Sequence, residues 1–217
     1  WRVNNDGTLG IAGTDNGSSL LGLSGSGTVL LGSHSLTLTD AADLFSGKII
    51  GSGGLILTGG MEILGGVNGY LGATSIAADS TLALAGSGSI ALSSGVLNNG
   101  KFDISAAAKD VSIRSLAGND SGSVALGSRT LVLSAASGEY AGNIEGDGGL
   151  TVAAGSEVLS GANRYTGATT VGNNASLHLA GDGSIADSRD VRVDGTLSLW
   201  MKNGDTALQS LSGSGAV

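Results

Sequence analysis

Short triplets of the form apolar–any–apolar recur along the whole chain, for example Leu36–Leu38 and Val111–Ile113. Successive side chains of a strand point to opposite faces, so the outer residues of a triplet share one face and the middle residue takes the other. Gly, Ser, Asn and Asp fill the intervals, and no segment combines a helical apolar period with helix caps. The pattern predicts an all-β chain of short strands. It predicts inward positions for Leu55, Leu57, Leu82, Leu84, Leu177 and Leu179, and outward positions for Ile56, Ala83 and His178.

The spacing of the triplets predicts the architecture. They recur every ~6–10 residues. This spacing is too short for ordinary hairpins, but it matches a coil that is built of three short strands. With ~20 residues per coil and coils stacked ~4.8 Å apart, the chain makes about ten coils in a rod ~50 Å long. Parallel crossovers are almost always right-handed. We therefore expect a right-handed parallel β-helix, a β-solenoid, built of three-strand coils. Other glycine-rich solenoids share this period, which leaves the cross-section open.

The chain also repeats itself over a longer distance. Residues 51–105 align without a gap to residues 146–200, and 24 of the 55 positions are identical. The same offset of 95 residues carries 32–51 onto 127–146. Such self-similarity indicates a duplication within a repeat architecture. We interpret residues 1–217 as a single β-helix segment of a longer protein.

Composition narrows the class of protein. Of 217 residues, 40 are Gly and none is Pro or Cys, while 41% are hydrophobic. This apolar content argues against disorder, and the missing prolines suit strands that are paired along both edges. The net charge of −8 and the pI near 4.5 argue against a nucleic-acid partner, which needs a basic surface. No apolar run reaches the ~18 residues of a membrane helix, and no signal peptide opens the chain.

One segment resembles a known family. It runs Ser160-Gly-Ala-Asn-Arg-Tyr-Thr-Gly-Ala-Thr-Thr-Val171, follows Gly148-Gly-Leu-Thr-Val152, and has a looser copy at residues 65–76. This pattern is similar to the passenger-associated repeat of bacterial autotransporters. The resemblance implies a β-helical passenger exported through the periplasm and an outer-membrane β-barrel. The barrel would belong to another part of the full chain, so we do not expect this segment itself to be inserted in the membrane.

Residues 118–123 resemble the surroundings of the nucleophile in trypsin-like serine proteases, a domain that some autotransporters carry. A nucleophilic Ser121 would need a base and an oxyanion hole. Only His34 and His178 could supply the base, and both occupy polar positions of short strands. An ordinary turn is the preferred interpretation.

Two acidic patterns invite other chemistry. Gly-Asp-Gly at 146–148 and 181–183 is similar to calcium-binding repeats, but each occurs singly, whereas such sites need aligned carboxylates in successive turns. The acids within 139–147 and within 182–194 could serve a polysaccharide-cleaving enzyme, which needs two carboxyl groups across a sugar. Glycine-relieved corners and solvated turns are the preferred interpretations.

Two pairs of residues occupy equivalent positions of the duplication. Glu62 and Glu157 are interpreted as a repeated surface feature, because both fall in strands of the repeated unit. Tyr70 and Tyr165 are predicted to pack over a neighbouring coil, with a carbohydrate-stacking platform as the alternative.

These observations favour a structural and adhesive module over an enzyme. The expected partners are a host surface or matrix molecule, or a second copy of the chain. No catalytic, cofactor-binding or metal-binding residues are assigned, and the expected location is extracellular or on the bacterial cell surface. The alternatives are a carbohydrate-active β-helix, either a polysaccharide lyase or a glycosidase, and a pure spacer for a functional domain elsewhere in the chain.

Overall fold

A computed structural model describes residues 1–199 and 202–217, and this part of the chain consists of strands, turns and loops without a helix. In chain order the strands are β1 (Arg2–Asn4), β2 (Thr8–Gly10), β3 (Ser18–Leu20), β4 (Gly22–Ser24), β5 (Thr28–Gly32), β6 (Leu36–Leu38), β7 (Ala41–Phe45), β8 (Lys48–Gly51), β9 (Leu55–Leu57), β10 (Gly60–Leu64), β11 (Gly69–Tyr70), β12 (Thr74–Ile76), β13 (Ser80–Leu84), β14 (Val96–Asn98), β15 (Lys101–Asp103), β16 (Val111–Ile113), β17 (Leu116–Ala117), β18 (Ser123–Ala125), β19 (Leu131–Leu133), β20 (Glu139–Tyr140), β21 (Asn143–Gly146), β22 (Leu150–Leu159), β23 (Arg164–Tyr165), β24 (Thr169–Leu179), β25 (Val191–Val193), β26 (Thr196–Ser198) and β27 (Leu211–Ser212).

Consecutive strands form the three sides of a coil in turn. The first side contains β1-β4 and then β7-β10-β13-β15-β18-β21-β23, joined by a bridge between Gly25 and Phe45. The second side contains β2-β5-β8-β11 and, later in the chain, β16-β19-β22-β24-β25-β27. The third side runs β3-β6-β9-β12-β14-β17 and continues through β20 and the second halves of β22 and β24 to β26. The strands pair in parallel, so the predicted β-solenoid of about ten turns is confirmed.

Inward side chains form columns along the solenoid axis. On the first side, Asp43, Glu62, Leu82 and Phe102 stand opposite one another in successive coils. Glu62, Leu82 and Phe102 are fully buried. Burying each Leu or Phe of such a column contributes roughly 1.5–3 kcal/mol, which makes the aliphatic core the main source of stability.

The predicted alternation holds along the strands. All six leucines expected to point inward are fully buried, while Ile56 and His178 are partly exposed. Ala83 is only 6% exposed although it pairs in register with the outward residues Ile63 and Asp103. Its side chain is small and stands between these two larger neighbours.

The two copies of the duplicated unit lie on different sides of the solenoid. β9 belongs to the third side, whereas its equivalent, residues 150–152, begins β22 on the second side. Likewise β10 belongs to the first side and its equivalent, residues 155–159, to the third. The offset of 95 residues is therefore one side short of a whole number of coils. The same local structure faces two directions. Trp200, the last residue of the second copy, lies outside the described residues.

Two equivalent corners require glycine. Gly51 and Gly146 have φ angles of 134° and 120°, which side chains rarely tolerate. They pair in register with Tyr70 and Tyr165 of the next coil. A Cβ atom at Gly51 would lie 2.7 Å from the carbonyl oxygen of Gly32, so any larger residue would push the coils apart.

Candidate functional site

The residues that carry the family resemblance build a buried hydroxyl network. Tyr165 Oη lies 2.7 Å from Thr169 Oγ1, which donates to Ser188 Oγ of the next coil at 2.9 Å. The first copy repeats this network with Tyr70, Thr74 and Ser93. Both tyrosines are 1% exposed. The predicted packing role is therefore confirmed, and the alternative of a carbohydrate-stacking platform is wrong.

The asparagine of the same motif replaces a backbone group at a corner. Asn163 Oδ1 accepts a hydrogen bond from the Ile144 N–H at 3.1 Å, and Asn163 Nδ2 donates to the Gly161 carbonyl at 3.0 Å. Asn68 makes the equivalent bonds, accepting from the Ile49 N–H at 2.9 Å. The side-chain amide continues the parallel ladder where the main chain turns away. The side chains of the motif therefore join neighbouring coils through hydrogen bonds.

Glu62 lies inside this core. It is fully buried in β10, between Asp43 of one coil and Leu82 of the next. Neither of its carboxyl oxygens has a hydrogen-bond partner among the described residues. Burial, reinforced by the Asp43 carboxylate, raises the pKa of Glu62 from 4.5 to about 9. The Leu23 backbone and, more weakly, Arg2 lower this pKa, but they offset the effect of burial only in part.

Glu157 occupies the equivalent place in the second copy. It is fully buried in β22 and stands opposite Leu177 of the next coil. Its two carboxyl oxygens also lack a partner in the described part of the chain. Burial raises the pKa of Glu157 to about 8, and the Gly138 backbone offsets this only in part. Burial therefore favours the neutral acid over the carboxylate at both positions.

The burial of these glutamates corrects the sequence-based interpretation of a repeated surface feature. Glu62 is in phase with Leu64, and Glu157 with Leu159, two residues further along each strand. Alternation therefore turns the carboxyl groups inward with the leucines. The signal was present in the sequence, but the apolar residues of β10 at the opposite phase obscured it.

A groove of about 550 Å³ opens on the outer face of the third side, over the strand that contains Glu157. Ser160 Oγ donates to the Glu139 carboxylate at 3.2 Å across it. Glu139, Val158 and His178 occupy one outward ladder position in successive coils. The remaining lining is Ser156, Ser160, Ala180 and Gly181. A carboxylate, an imidazole and two hydroxyls around an apolar floor can hydrogen-bond a polar ligand.

The first copy presents a different outer face over Glu62. Leu44 stands at the position equivalent to Glu139, and Met61 at the position equivalent to Ser156. These two side chains are 51% and 42% exposed. Leu44 pairs in register with Ile63 of the next coil, so the apolar positions are adjacent. The same backbone therefore carries a polar groove in one copy and an apolar face in the other.

The remaining sequence candidates occupy exposed turns. Ser121 is exposed in a turn that is closed by its N–H donating to Asn119 Oδ1 at 3.1 Å. Asp147 and Asp182 of the two Gly-Asp-Gly segments are exposed as well. Across residues 1–199 and 202–217, no three His, Asp or Glu side chains converge to hold a metal ion. Over the same ranges, no helix has the length and apolar character to cross a bilayer.

Comparisons with protein-family models, curated proteins and solved structures return no match. The resemblance to autotransporter passengers therefore rests on the motif residues alone.

Proposed function

We propose that this chain is a structural and adhesive segment of a bacterial cell-surface passenger, a stiff β-solenoid whose outer sides bind host surface or matrix molecules. One observation carries the proposal: the two copies of the duplicated unit keep the same buried motif residues and differ on the outside. Buried positions set stability, whereas exposed positions are free to follow the requirements of a partner.

The buried motif residues are retained, although Asn98 and Ser80 of the interior are replaced by Val193 and Ala175 in the second copy. The tyrosine, threonine and serine of the hydroxyl network, the corner asparagine and the buried glutamate are identical in the two copies. Outward positions change in chemical character instead. The pairs are Leu44 and Glu139, Ile50 and Glu145, Met61 and Ser156, and Leu97 and Arg192. On the first side, the exposed Leu44 and Met61 lie on the neighbouring strands β7 and β10, and adjacent exposed apolar side chains are typical of contact surfaces.

This division favours display over catalysis. A catalytic centre needs acid and base groups fixed around a reacting atom. Leu44 replaces Glu139 and Ala83 replaces His178 in the other copy, so the polar groups of the groove are absent from one of the two units. A scaffold that varies its outer sides fits this pattern, and the resemblance to passenger repeats supports an extracellular or cell-surface location.

An adhesion assay tests the proposal. The purified segment is attached through one end to fluorescent beads, and bead binding to epithelial cells and to immobilised fibronectin, collagen and laminin is counted. We expect binding above that of uncoated beads. The double substitution Leu44→Glu with Met61→Ser, which gives the first copy the outer residues of the second, should reduce binding about tenfold because it removes the apolar contact face.

The control is the reverse exchange, Glu139→Leu with Ser156→Met, which changes the other unit by the same chemistry. Circular dichroism establishes that each variant keeps its strand content. Folded segment that binds none of these surfaces, or binding that neither exchange alters, contradicts the proposal.

A further inference from the structure

The two buried glutamates form a feature that adhesion does not explain. Each is fully buried, each has two carboxyl oxygens without a hydrogen-bond partner in the described residues, and each occupies the same position of the duplicated unit. They lie on different sides of the solenoid, in β10 on the first side and in β22 on the third. An unpartnered carboxyl in an aliphatic core is costly, and an ionised one far more so.

The charged groups around the glutamates do not compensate them. Glu62 faces Asp43 of β7, a second acid, and the cation that acts on it is Arg2 of β1, which pairs with Asp43 at 2.8 Å and with Asp40 at 3.0 Å. Leu23 of β4 and Leu82 of β13 complete its surroundings.

Around Glu157 the neighbours across the ladder are Gly138 and Leu177, neither of which carries a charge. Backbone groups at Leu23 and Gly138 favour the ionised carboxyls only weakly, so burial makes the neutral form the stable one at both positions.

We infer that the stability of the solenoid depends on protonation at two equivalent positions. Glu62 and Glu157 are held in the core as neutral carboxylic acids, and folding takes up one proton from solvent at each. The surrounding coils loosen when either carboxyl ionises. The folded solenoid is therefore more stable in acidic than in alkaline solution.

The sign follows from linkage. Burial raises the folded-state pKa of Glu157 from 4.5 to about 8 and that of Glu62 to about 9. Between pH 4.5 and about pH 8, the unfolded chain has released both protons, whereas the folded chain has kept them. The stability that protonation provides is complete below pH 4.5 and is lost as the pH rises through these folded-state values. Each glutamate lowers the folding equilibrium constant about tenfold per pH unit across the window.

Urea unfolding from pH 5 to pH 9 tests the inference on the wild-type segment, Glu62→Gln, Glu157→Gln and the double variant. Glutamine keeps the size and the neutral charge of the protonated acid but cannot ionise. We expect the folding constant of the wild type to fall up to about a hundredfold per pH unit between pH 5 and pH 8, and about tenfold in each single variant. The double variant should be nearly flat. Glu145→Gln, at an exposed position, is the matched control and should retain the wild-type slope.

A direct readout does not depend on the variants folding. At pH 7 the folded wild-type protein should show the infrared carbonyl stretch of a protonated carboxylic acid, and this band should disappear with the loss of folded structure at high pH. Each foldable single variant should lose about half of it. Absence of the band from folded wild-type protein at pH 7 overturns the inference. A double variant with the wild-type pH slope does so as well.

Discussion

The buried hydroxyl network offers a sharp test of how the motif stabilises the fold. Thr169 is fully buried on the inward face of β24. Its Oγ1 is bonded both to Tyr165 Oη at 2.7 Å and to Ser188 Oγ at 2.9 Å. Thr169→Val keeps the shape of the side chain and removes both bonds. Ser188 retains the Gly167 carbonyl at 2.9 Å, but the tyrosine hydroxyl is left without its partner.

The magnitude follows from these contacts. A net loss of about 1 kcal/mol for each of the two hydrogen bonds, with a further 1–3 kcal/mol for the orphaned buried hydroxyl, gives roughly 3–5 kcal/mol. Tyr165→Phe in the Thr169→Val background removes the orphan, because both partners are then apolar. The double variant should therefore lose less than the sum of the single variants, with a coupling of about 1–2 kcal/mol.

Urea unfolding at pH 5, where both buried glutamates are protonated in the folded state, measures these free energies. Thr170→Val on the outward face of the same strand is the control, since Thr170 is partly exposed and its change should stay within about 0.5 kcal/mol. Equal losses at Thr169 and Thr170, or strict additivity of Thr169→Val and Tyr165→Phe, would refute the reasoning.

Three further outcomes are expected. Leu179→Asp should cost several kcal/mol in urea unfolding because Leu179 is fully buried, whereas His178→Asp should cost little, and equal costs would mean that the strand register is reversed. Gly22→Ala should lower the stability by up to about 1 kcal/mol because the new Cβ meets the Asp43 carboxylate and displaces it from its ion pair, while Gly10→Ala, with open space around it, should not disturb that pair. Far-ultraviolet circular dichroism should show strand without helix, and a helical content above about 15% would contradict the fold.

The sequence by itself determined the class of the fold and much of its interior. Apolar–any–apolar triplets fix which residues of a three-residue strand share a face, so this pattern alone places the leucines of β9, β13 and the end of β24 on the inward face. Glycine and asparagine between the triplets marked the corners. The repeat also located the motif whose tyrosines prove to be buried. The triplet and corner signals are local because they depend only on neighbours within a few residues, and the repeat is visible by comparing the sequence with itself.

Only the tertiary structure decided where the functional features lie. Met61 and Ile63 are as apolar as Leu64, so the local pattern of β10 did not settle that Glu62 points inward; the parallel register with Asp43 and Leu82 did. The groove over Glu157 joins residues of β20, β22 and β24, which belong to successive coils. The placement of the two copies on different sides depends on the summed lengths of all the corners between them. The side on which a strand lies depends on the lengths of all the strands and corners before it, and no short stretch of sequence contains that information.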